Sequence, residues 1–198
     1  MQINRPIYLK QLIDRQHNGM VKIITGMRRC GKSYLLFNLF VEHLKSNGID
    51  ERHIIAIDLE SLYNEQLREP MALLRHIDEQ VHDAAMYYVL IDEVQLLHRF
   101  EEVMNTLMKH PNMDVYVTGS NARFLSKDVI TTFRGRGDEV RIHPLSFQEY
   151  MSAQSDTTFV ERHLADYMRL GGMPQTMSMQ TEQQKREYLQ QLFRNTYL

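Results

Sequence analysis

Short apolar runs alternate along the chain with longer stretches in which apolar residues recur every three or four positions. Four runs are rich in Val, Ile, Tyr or Met and predict buried strands, namely Met20–Thr25, His53–Asp58, Met86–Ile91 and Met113–Thr118. Nearly continuous hydrophobicity is typical of parallel strands that are covered on both faces. The alternation therefore predicts an α/β fold in which a mostly parallel sheet lies between two helical layers.

Three stretches between these runs have the spacing of helices that pack on a sheet. Their apolar positions are Leu36, Phe40 and Leu44, then Leu67, Met71, Leu74 and Val81, and finally Phe100, Met104 and Met108. Pro70 fits the first turn of the second helix, because no backbone N–H is needed there.

The pattern changes after residue 142. Apolar residues then recur at helical spacing at Phe147, Tyr150, Val160, Leu164, Tyr167 and Met168. Gly171, Gly172 and Pro174 interrupt this pattern before a last amphipathic helix with Tyr188, Leu189, Leu192 and Phe193. We expect a core domain over residues 1–142 and a small helical subdomain over 143–198. Because the last helical pattern is still running at residue 198, we also expect a further C-terminal domain.

Composition narrows the class of protein. The 198 residues are 43% hydrophobic and 24% charged, which is the balance of a globular domain with a buried core. The net charge of −2 and the pI near 6.5 supply no overall basic field for nucleic acid or an anionic membrane. The single cysteine excludes an internal disulfide and favours a reducing compartment. No apolar stretch approaches the roughly 20 residues that cross a bilayer, and no signal peptide precedes the first strand, so we expect a cytoplasmic protein.

A complete GxxxxGK[ST] motif follows the first predicted strand and precedes a predicted helix. In such a phosphate loop (residues 26–33), the glycines let successive backbone N–H groups turn inward toward phosphate oxygens. Lys32 is expected to reach the β and γ phosphates, and the Ser33 hydroxyl is expected to bind Mg²⁺. An ordinary glycine turn is the alternative. The candidate nucleotide-binding residues are Gly26, Met27, Arg28, Arg29, Cys30, Gly31, Lys32, Ser33 and Tyr34.

The third predicted strand runs directly into Asp92 and Glu93. Two carboxylates at the end of a buried strand are costly unless they are used. Asp92 matches the residue that holds Mg²⁺ through a water in P-loop enzymes, and Glu93 is placed to orient and polarise an attacking water. A solvated strand end is the alternative interpretation.

The adjacent Asp-Glu pair favours a hydrolytic ATPase over a small-molecule kinase or a GTPase, and the guanine-reading NKxD motif is absent. ATP is therefore the preferred nucleotide. Ser120 or Asn121, after the fourth strand, is a candidate sensor of the γ phosphate. These two residues are equally suited to a turn or a helix cap.

Arginines on a glycine-containing loop at residues 133–137 are suited to bidentate contact with phosphate oxygens. The sharper hypothesis is that Arg136 is an arginine finger, acting within one subunit or across an interface, which contributes about 10³ to 10⁵ in rate in such enzymes. The alternative is a solvated basic loop or one that contacts a nucleic-acid backbone.

Seven short motifs in order resemble the AAA-type ATPases of bacteria and archaea in which a P-loop domain precedes a C-terminal domain of unknown function. The motifs are Arg5 with Tyr8 and Leu9, GMRRCGKS at Gly26 to Ser33, YYVLIDEVQ at Tyr87 to Gln95, VTGSNA at Val117 to Ala122, FRGR at Phe133 to Arg136, HPLSFQEY at His143 to Tyr150, and GGMP at Gly171 to Pro174.

This resemblance implies a P-loop NTPase three-layer sandwich with an additional strand between the phosphate-loop strand and the Asp-Glu strand, followed by a small helical or winged-helix lid. It also implies ATP and Mg²⁺ as ligands. By similarity, Gly31, Lys32 and Ser33 contact phosphate and metal, Asp92 and Glu93 handle Mg²⁺ and water, and Arg136 is the finger. The segment from Arg5 to Leu9 is implied to line the adenine pocket.

The leading hypothesis is an ATP-binding AAA-like domain that hydrolyses ATP with Mg²⁺ and thereby drives a conformational switch. One alternative is a nucleotide-gated interaction module with little turnover, acting on a protein partner or a homo-oligomer. A nucleic-acid-dependent ATPase is another, although the acidic net charge argues against it, and a small-molecule kinase ranks last because it leaves Glu93 unexplained.

Overall fold

The computed structural model describes residues 3–119 and 136–197. Its central sheet has five strands, β1 to β5 in chain order: Val21–Gly26, Ile54–Asp58, Tyr87–Asp92, Met113–Thr118 and Gly137–Ile142. The strands lie in the order β2-β3-β4-β1-β5, and the pairs β2–β3, β3–β4 and β4–β1 are parallel. Strand β4 therefore lies between the strand that leads into the phosphate loop and the strand that ends at Asp92, which confirms the expected additional strand.

The α-helices of the described residues, α1 to α8 in chain order, are Pro6–Ile13, Lys32–Tyr34, Val41–Ser46, Pro70–Asp78, Phe100–Leu107, Phe147–Ser152, Val160–Leu170 and Glu182–Tyr197. A π-helical stretch, Leu35–Phe40, joins α2 to α3. Short 3₁₀ helices occupy Glu51–His53, Leu62–Arg68, Val94–Leu96 and Pro174–Ser178.

The four predicted strands are confirmed to within one residue at each end. Strand β5 was not among them, because its sequence GDEVRI is mostly polar and only Val140 and Ile142 are buried. It lies at the edge of the sheet, and its first three residues are only partly buried.

The predicted core face of the helix after residue 67 is partly wrong. Met71 is 59% exposed, whereas Leu73 and Ile77 are buried. Leu67 belongs to the 3₁₀ helix Leu62–Arg68, so the helical spacing counted from Leu67 does not continue into α4. The position of Pro70 in the first turn of α4 is confirmed.

Helices cover both faces of the sheet. On one face, alternate strand residues such as Val21, Ile23 and Val89 form one buried cluster with residues of α4 and α5, among them Leu73 and Met104. On the other face, the ring of Phe40 packs against Tyr116 and Tyr88, with centroid distances of 4.5 and 6.4 Å. Both faces are therefore buried, as nearly continuous apolar strands predict.

One buried polar network interrupts this second face. The ammonium of Lys22, which has no exposed surface, forms an ion pair with Asp114. The second carboxylate oxygen of Asp114 accepts hydrogen bonds from the Tyr116 hydroxyl at 2.8 Å and from the backbone N–H of His17 at 3.1 Å. Burial lowers the pKa of Lys22, although Asp114 acts in the opposite direction.

The described chain divides into two compact units. The sheet unit comprises residues 6–26, 32–119 and 136–141, and the helical unit comprises residues 3–5, 27–31 and 142–197. The helical unit thus contains α6 to α8 and also two short segments that the sequence prediction assigned to the core. The division into functional domains at residues 142 and 143 stays a prediction.

Within the helical unit, α6 begins with a capping box between Ser146 and Glu149. The loop before α6 is fixed by two hydrogen bonds of Leu145: its N–H donates to the Gly172 carbonyl at 2.7 Å, and its carbonyl accepts from the Tyr167 hydroxyl at 2.7 Å. A side chain at Gly172 would meet the Leu145 carbonyl oxygen at 2.1 Å, which explains the glycine there.

Across residues 3–119 and 136–197, we find no helix that has both the length and the apolar character to cross a membrane.

Candidate functional site

The phosphate loop leaves β1 with a backbone that ordinary residues rarely adopt. Gly31 has a φ of 100°, and Arg29 has a φ of 65°, which is the left-handed region. The backbone N–H of Cys30 donates to the Met27 carbonyl at 3.3 Å. Alternating conformations of this kind turn successive N–H groups toward one side of the chain, which is the arrangement that binds anions.

Lys32 begins the helical segment that follows the loop. Its side chain is only 4% exposed, and its ammonium donates to the Gly26 carbonyl at 3.3 Å. Because Gly26 ends β1, this contact brings the ammonium to the carboxyl end of that strand. A buried ammonium in this position is suited to an anionic ligand.

Ser33 and Asp92 are in direct contact, although they lie 59 positions apart. The Ser33 hydroxyl is hydrogen-bonded to the Asp92 carboxylate. Asp92 ends β3 and is 6% exposed, and burial raises its pKa, with the negative charges of Glu93 and Asp58 adding to the effect. The hydrogen bonds from Thr118 and Ser33 oppose that rise.

Thr118 links the two acidic residues to the end of β4. Its hydroxyl donates to Oδ1 of Asp92 and accepts from the backbone N–H of Glu93, with an N–O distance of 3.1 Å. Thr118 has no exposed surface. Sequence reasoning missed this residue, because a threonine at a strand end has the same sequence signal as a turn residue.

Glu93 is placed by its backbone and by Gln95. Its φ of 52° and ψ of 49° lie in the left-handed region, which is uncommon for a residue with a side chain. One carboxylate oxygen of Glu93 accepts a hydrogen bond from the Gln95 side-chain amide. Gln95 was part of a sequence motif, but no role was predicted for it.

These oxygen atoms suit a magnesium ion. Mg²⁺ prefers hard oxygen ligands, keeps several waters and is held in proteins by one or two carboxylates. A hydroxyl and a carboxylate already in contact provide such a pair. In the described ranges, no three His, Cys, Asp or Glu residues cluster as metal ligands.

Of the remaining candidate residues, Met27 to Cys30 belong to the helical unit and Tyr34 belongs to the sheet unit. Arg28 and Arg29 are exposed, whereas Met27 and Tyr34 are half-buried. The Arg29 guanidinium lies over the Tyr188 ring of α8, 5.8 Å from its centroid. Cys30 has no exposed surface, and its Sγ lies 3.8 Å from the Ile142 carbonyl oxygen.

Arg5 connects three segments of the helical unit. Its guanidinium donates to the carbonyls of Cys30 and His143, at 3.0 and 2.6 Å, and to the carboxylate of Glu149 at 2.8 Å. Arg5 therefore holds a carbonyl of the phosphate loop. The expectation that the segment from Arg5 to Leu9 lines an adenine pocket stays a prediction.

Arg136 lies at the amino end of the strands, whereas Asp92 lies at the carboxyl end of β3. Its backbone carbonyl accepts from the N–H of Val21, the first residue of β1, at 3.0 Å. Gly26 ends β1 five residues later, about 16 Å away at the rise of a strand. This is farther than an arginine side chain spans, so Arg136 does not reach the carboxyl edge of its own sheet.

Ser120 and Asn121, the candidate sensors, lie outside the described residues, as does Arg134. Their roles stay predictions.

A profile described as AAA domain matches residues 18–151, which is more than half of the chain. The chain belongs to the AAA family. This AAA domain is therefore a member of a class of ATP-binding domains.

Two longer proteins are similar in sequence to this chain. It is 34% identical over 176 residues to an uncharacterized protein of Haemophilus influenzae, and the match covers 87% of this chain and 44% of the relative. It is 26% identical over 203 residues to an uncharacterized protein of Methanocaldococcus jannaschii, covering 96% of this chain and 42% of the relative. The chain thus spans less than half the length of either relative.

Solved structures share its fold. The Walker-type ATPase of Pyrococcus abyssi aligns with a TM-score of 0.56 at 17% identity, over 98% of this chain and 74% of that one. Cdc6p from Pyrobaculum aerophilum aligns with a TM-score of 0.52 at 12% identity, over 83% of this chain and 50% of that one. The α/β fold of the AAA domain is therefore that of P-loop ATPases.

Proposed function

We propose that this AAA domain binds ATP with Mg²⁺ and hydrolyses it to ADP and phosphate, and that the cycle drives a conformational switch. The observation that carries the proposal is the contact between the Ser33 hydroxyl and the buried Asp92 carboxylate. It joins the end of the phosphate loop to the end of β3, as a site for a triphosphate and its metal requires.

Binding is assigned to the phosphate loop. The backbone N–H groups of residues 27–31 and the Lys32 ammonium are the donors for phosphate oxygens. Ser33 and Asp92 would hold Mg²⁺, Asp92 directly or through a water. When bound, this ion neutralises negative charge on the β- and γ-phosphate oxygens.

Glu93 is proposed as the general base. Its carboxylate takes a proton from a water while the water oxygen bonds to the γ-phosphorus, and the bond from that phosphorus to the bridging oxygen breaks, so ADP leaves with the electron pair. Thr118 fixes the backbone of Glu93 for this task. Ser120 or Asn121 is proposed to sense the γ phosphate.

Arg5 gives the loop a route to the C-terminal helices. The carbonyl of Cys30 in the loop, the carbonyl of His143 and the first turn of α6 at Glu149 all meet at its guanidinium. A change in the loop backbone on loss of the γ phosphate is therefore proposed to alter the start of α6.

One observation favours a second candidate, a nucleotide-gated interaction module with little turnover. Because Arg136 lies at the amino edge of the sheet, it supplies no positive charge to the phosphates of its own chain. An isolated chain would then bind ATP and turn it over slowly, until a neighbouring subunit contributed an arginine.

Release of phosphate from MgATP separates these two functions. Wild type is expected to release phosphate, and Glu93→Gln is expected to keep MgATP binding while turnover falls about 10²- to 10⁴-fold. Equal and negligible release by both proteins, with binding intact, would favour the gated module. Equal but substantial release would remove Glu93 from the role of base.

A further inference from the structure

Gln95 lies beside the proposed general base. It belongs to the 3₁₀ helix Val94–Leu96, which follows β3 directly, and its side-chain Nε2 donates to Oε2 of Glu93. The two residues are in the sheet unit, on one short segment between β3 and α5.

The orientation of this amide follows from its partner. An ionised carboxylate oxygen only accepts hydrogen bonds, so the group of Gln95 that faces Glu93 must be the NH₂ group. The carbonyl Oε1 of Gln95 therefore points elsewhere. It is buried, and it has no hydrogen-bond partner in the described part of the chain.

A buried acceptor without a partner is unfavourable and uncommon in native proteins. Such an atom indicates a site for a water or for another donor. Gln95 is half-buried as a residue, and its carbonyl oxygen is among the buried atoms.

The neighbouring Glu93 is fixed in place by two further features. Its backbone is in the left-handed region, and its N–H donates to the buried Thr118 hydroxyl at 3.1 Å. The segment thus presents one carboxylate and one amide carbonyl, both acceptors, held together by a hydrogen bond. A water molecule has two O–H groups, which match two such acceptors.

We propose that Gln95 positions the attacking water in the hydrolysis assigned to this site. Its NH₂ group holds the Glu93 carboxylate, and its carbonyl accepts one O–H of the water while Glu93 accepts the other. Glu93 takes its proton as the water oxygen bonds to the γ-phosphorus, and Gln95 neither gains nor loses a proton. This inference rests on the proposed function of ATP hydrolysis.

The test compares Gln95→Met with wild type. Methionine has a similar length and volume but neither donates nor accepts a strong hydrogen bond. Gln66→Met is the matched control, because Gln66 is an exposed glutamine in another 3₁₀ helix of the same unit. The measurements are the dissociation constant for MgATP and the rate of phosphate release in single turnovers with excess protein.

The expected result is a rate for Gln95→Met about 10- to 100-fold below wild type, as follows from losing one or two hydrogen bonds in the transition state. The dissociation constant is expected to stay within about twofold of wild type, because Gln95 contacts the water and not the nucleotide. Gln66→Met should match wild type in both. Gln95→Asn keeps the amide but shortens the side chain by one methylene, so its rate of phosphate release should also be below that of wild type.

A double-mutant cycle with Glu93→Gln tests whether the two residues act together. In the Glu93→Gln background, Gln95→Met should reduce the rate several-fold less than it does in wild type. Fully additive losses would overturn the proposal, as would a Gln95→Met rate equal to wild type or a rate loss that merely follows weakened binding.

The failure of this proposal can be told from failure of the proposed function. If wild type releases phosphate and both Gln95 variants match it, Gln95 has no such role while hydrolysis stands. If wild type binds MgATP but releases no phosphate above background, hydrolysis by this chain fails, and the role of Gln95 fails with it.

Discussion

The guanidinium of Arg5 forms a buried ion pair with the carboxylate of Glu149, 144 positions later in the chain, at 2.8 Å. The same guanidinium also donates to the Cys30 carbonyl of the phosphate loop. Glu149 in turn accepts from the Ser146 N–H at 2.8 Å, so that its second oxygen is used as well. The start of α6 and a carbonyl of the phosphate loop are therefore held by one side chain.

Removing Arg5 should strongly destabilise the fold. Arg5→Met leaves the Glu149 carboxylate buried without its cation, and breaking a buried pair in this way costs about 3–5 kcal/mol. Urea unfolding measures the loss. Arg52→Met is the control, because Arg52 pairs with Asp50 at the surface, and its unfolding midpoint should equal that of wild type. A midpoint for Arg5→Met equal to that of the control would show that the pair does not hold the helical unit together.

A second stability prediction concerns Thr118. Thr118→Val keeps the shape of the side chain but removes the hydroxyl that serves both Asp92 and Glu93. Because a backbone N–H and a buried carboxylate each lose a partner, the variant should lose about 1–3 kcal/mol of unfolding free energy. It should also lower phosphate release by displacing Glu93. Thr106→Val, whose hydroxyl bonds only to its own helix at Glu102, should stay within about 0.5 kcal/mol of wild type.

The buried Asp92 carboxylate should make stability depend on pH. Burial raises the pKa of Asp92, so between the ordinary value of an unfolded aspartate and the raised value the folded protein holds a proton that the unfolded chain has lost. The unfolding free energy contributed by this group therefore falls as pH rises through that window. Without nucleotide, Asp92→Asn should be more stable than wild type at neutral pH and should lack this component.

Urea unfolding between pH 4 and pH 8 measures this effect. Asp78→Asn, which changes an exposed aspartate on α4, serves as the control and should retain the wild-type pH dependence. The same Asp92→Asn protein should gain no additional ATP stabilisation from Mg²⁺ over EDTA. A less stable Asp92→Asn at neutral pH would contradict the assignment of an unfavourable buried charge.

The position of Arg136 predicts that a catalytic arginine comes from a neighbouring chain. Arg136→Ala should bind MgATP as wild type does and lose about 10³ to 10⁵ in turnover, as is typical for removal of an arginine finger. Mixing Arg136→Ala with Glu93→Gln should restore phosphate release, because some interfaces then combine an intact Glu93 with an intact Arg136. An Arg136→Ala protein with wild-type turnover, or a mixture no faster than its components, would remove Arg136 from that role.

Much of the sheet could be predicted from sequence because its central strands are buried on both faces. The runs around Ile23, Val89 and Val117 are apolar for that reason. The run around Ile57 lies at the edge of the sheet, and it was found because Ile55 and Ile57 pack into the core. Strand β5 could not be found in this way, since an edge strand with a mostly polar sequence gives no such signal. Because β5 was not predicted, the distance from Arg136 to the carboxyl end of β1 could not be predicted either.

In the candidate site, too, some features could be predicted from the sequence and others could not. The phosphate loop and the Asp92–Glu93 pair are contiguous in sequence, and their residue types follow from phosphate and metal chemistry. Thr118, Gln95 and Arg5 lie within motifs that the sequence singles out, but they act through hydrogen bonds that depend on the tertiary fold. None of these hydrogen-bond partners could therefore be predicted from the sequence alone.

Thermal unfolding with and without MgATP tests the central claim most directly, namely that Lys32, Ser33 and Asp92 form a site for ATP and its metal ion. At 100 times the dissociation constant, the ligand should add about 2.7 kcal/mol to the folded state. For a chain of this size, that raises Tm by about 5–10 °C. The account predicts this shift for wild type and its loss in Lys32→Ala. No shift in wild type, or an undiminished shift in Lys32→Ala, would contradict it.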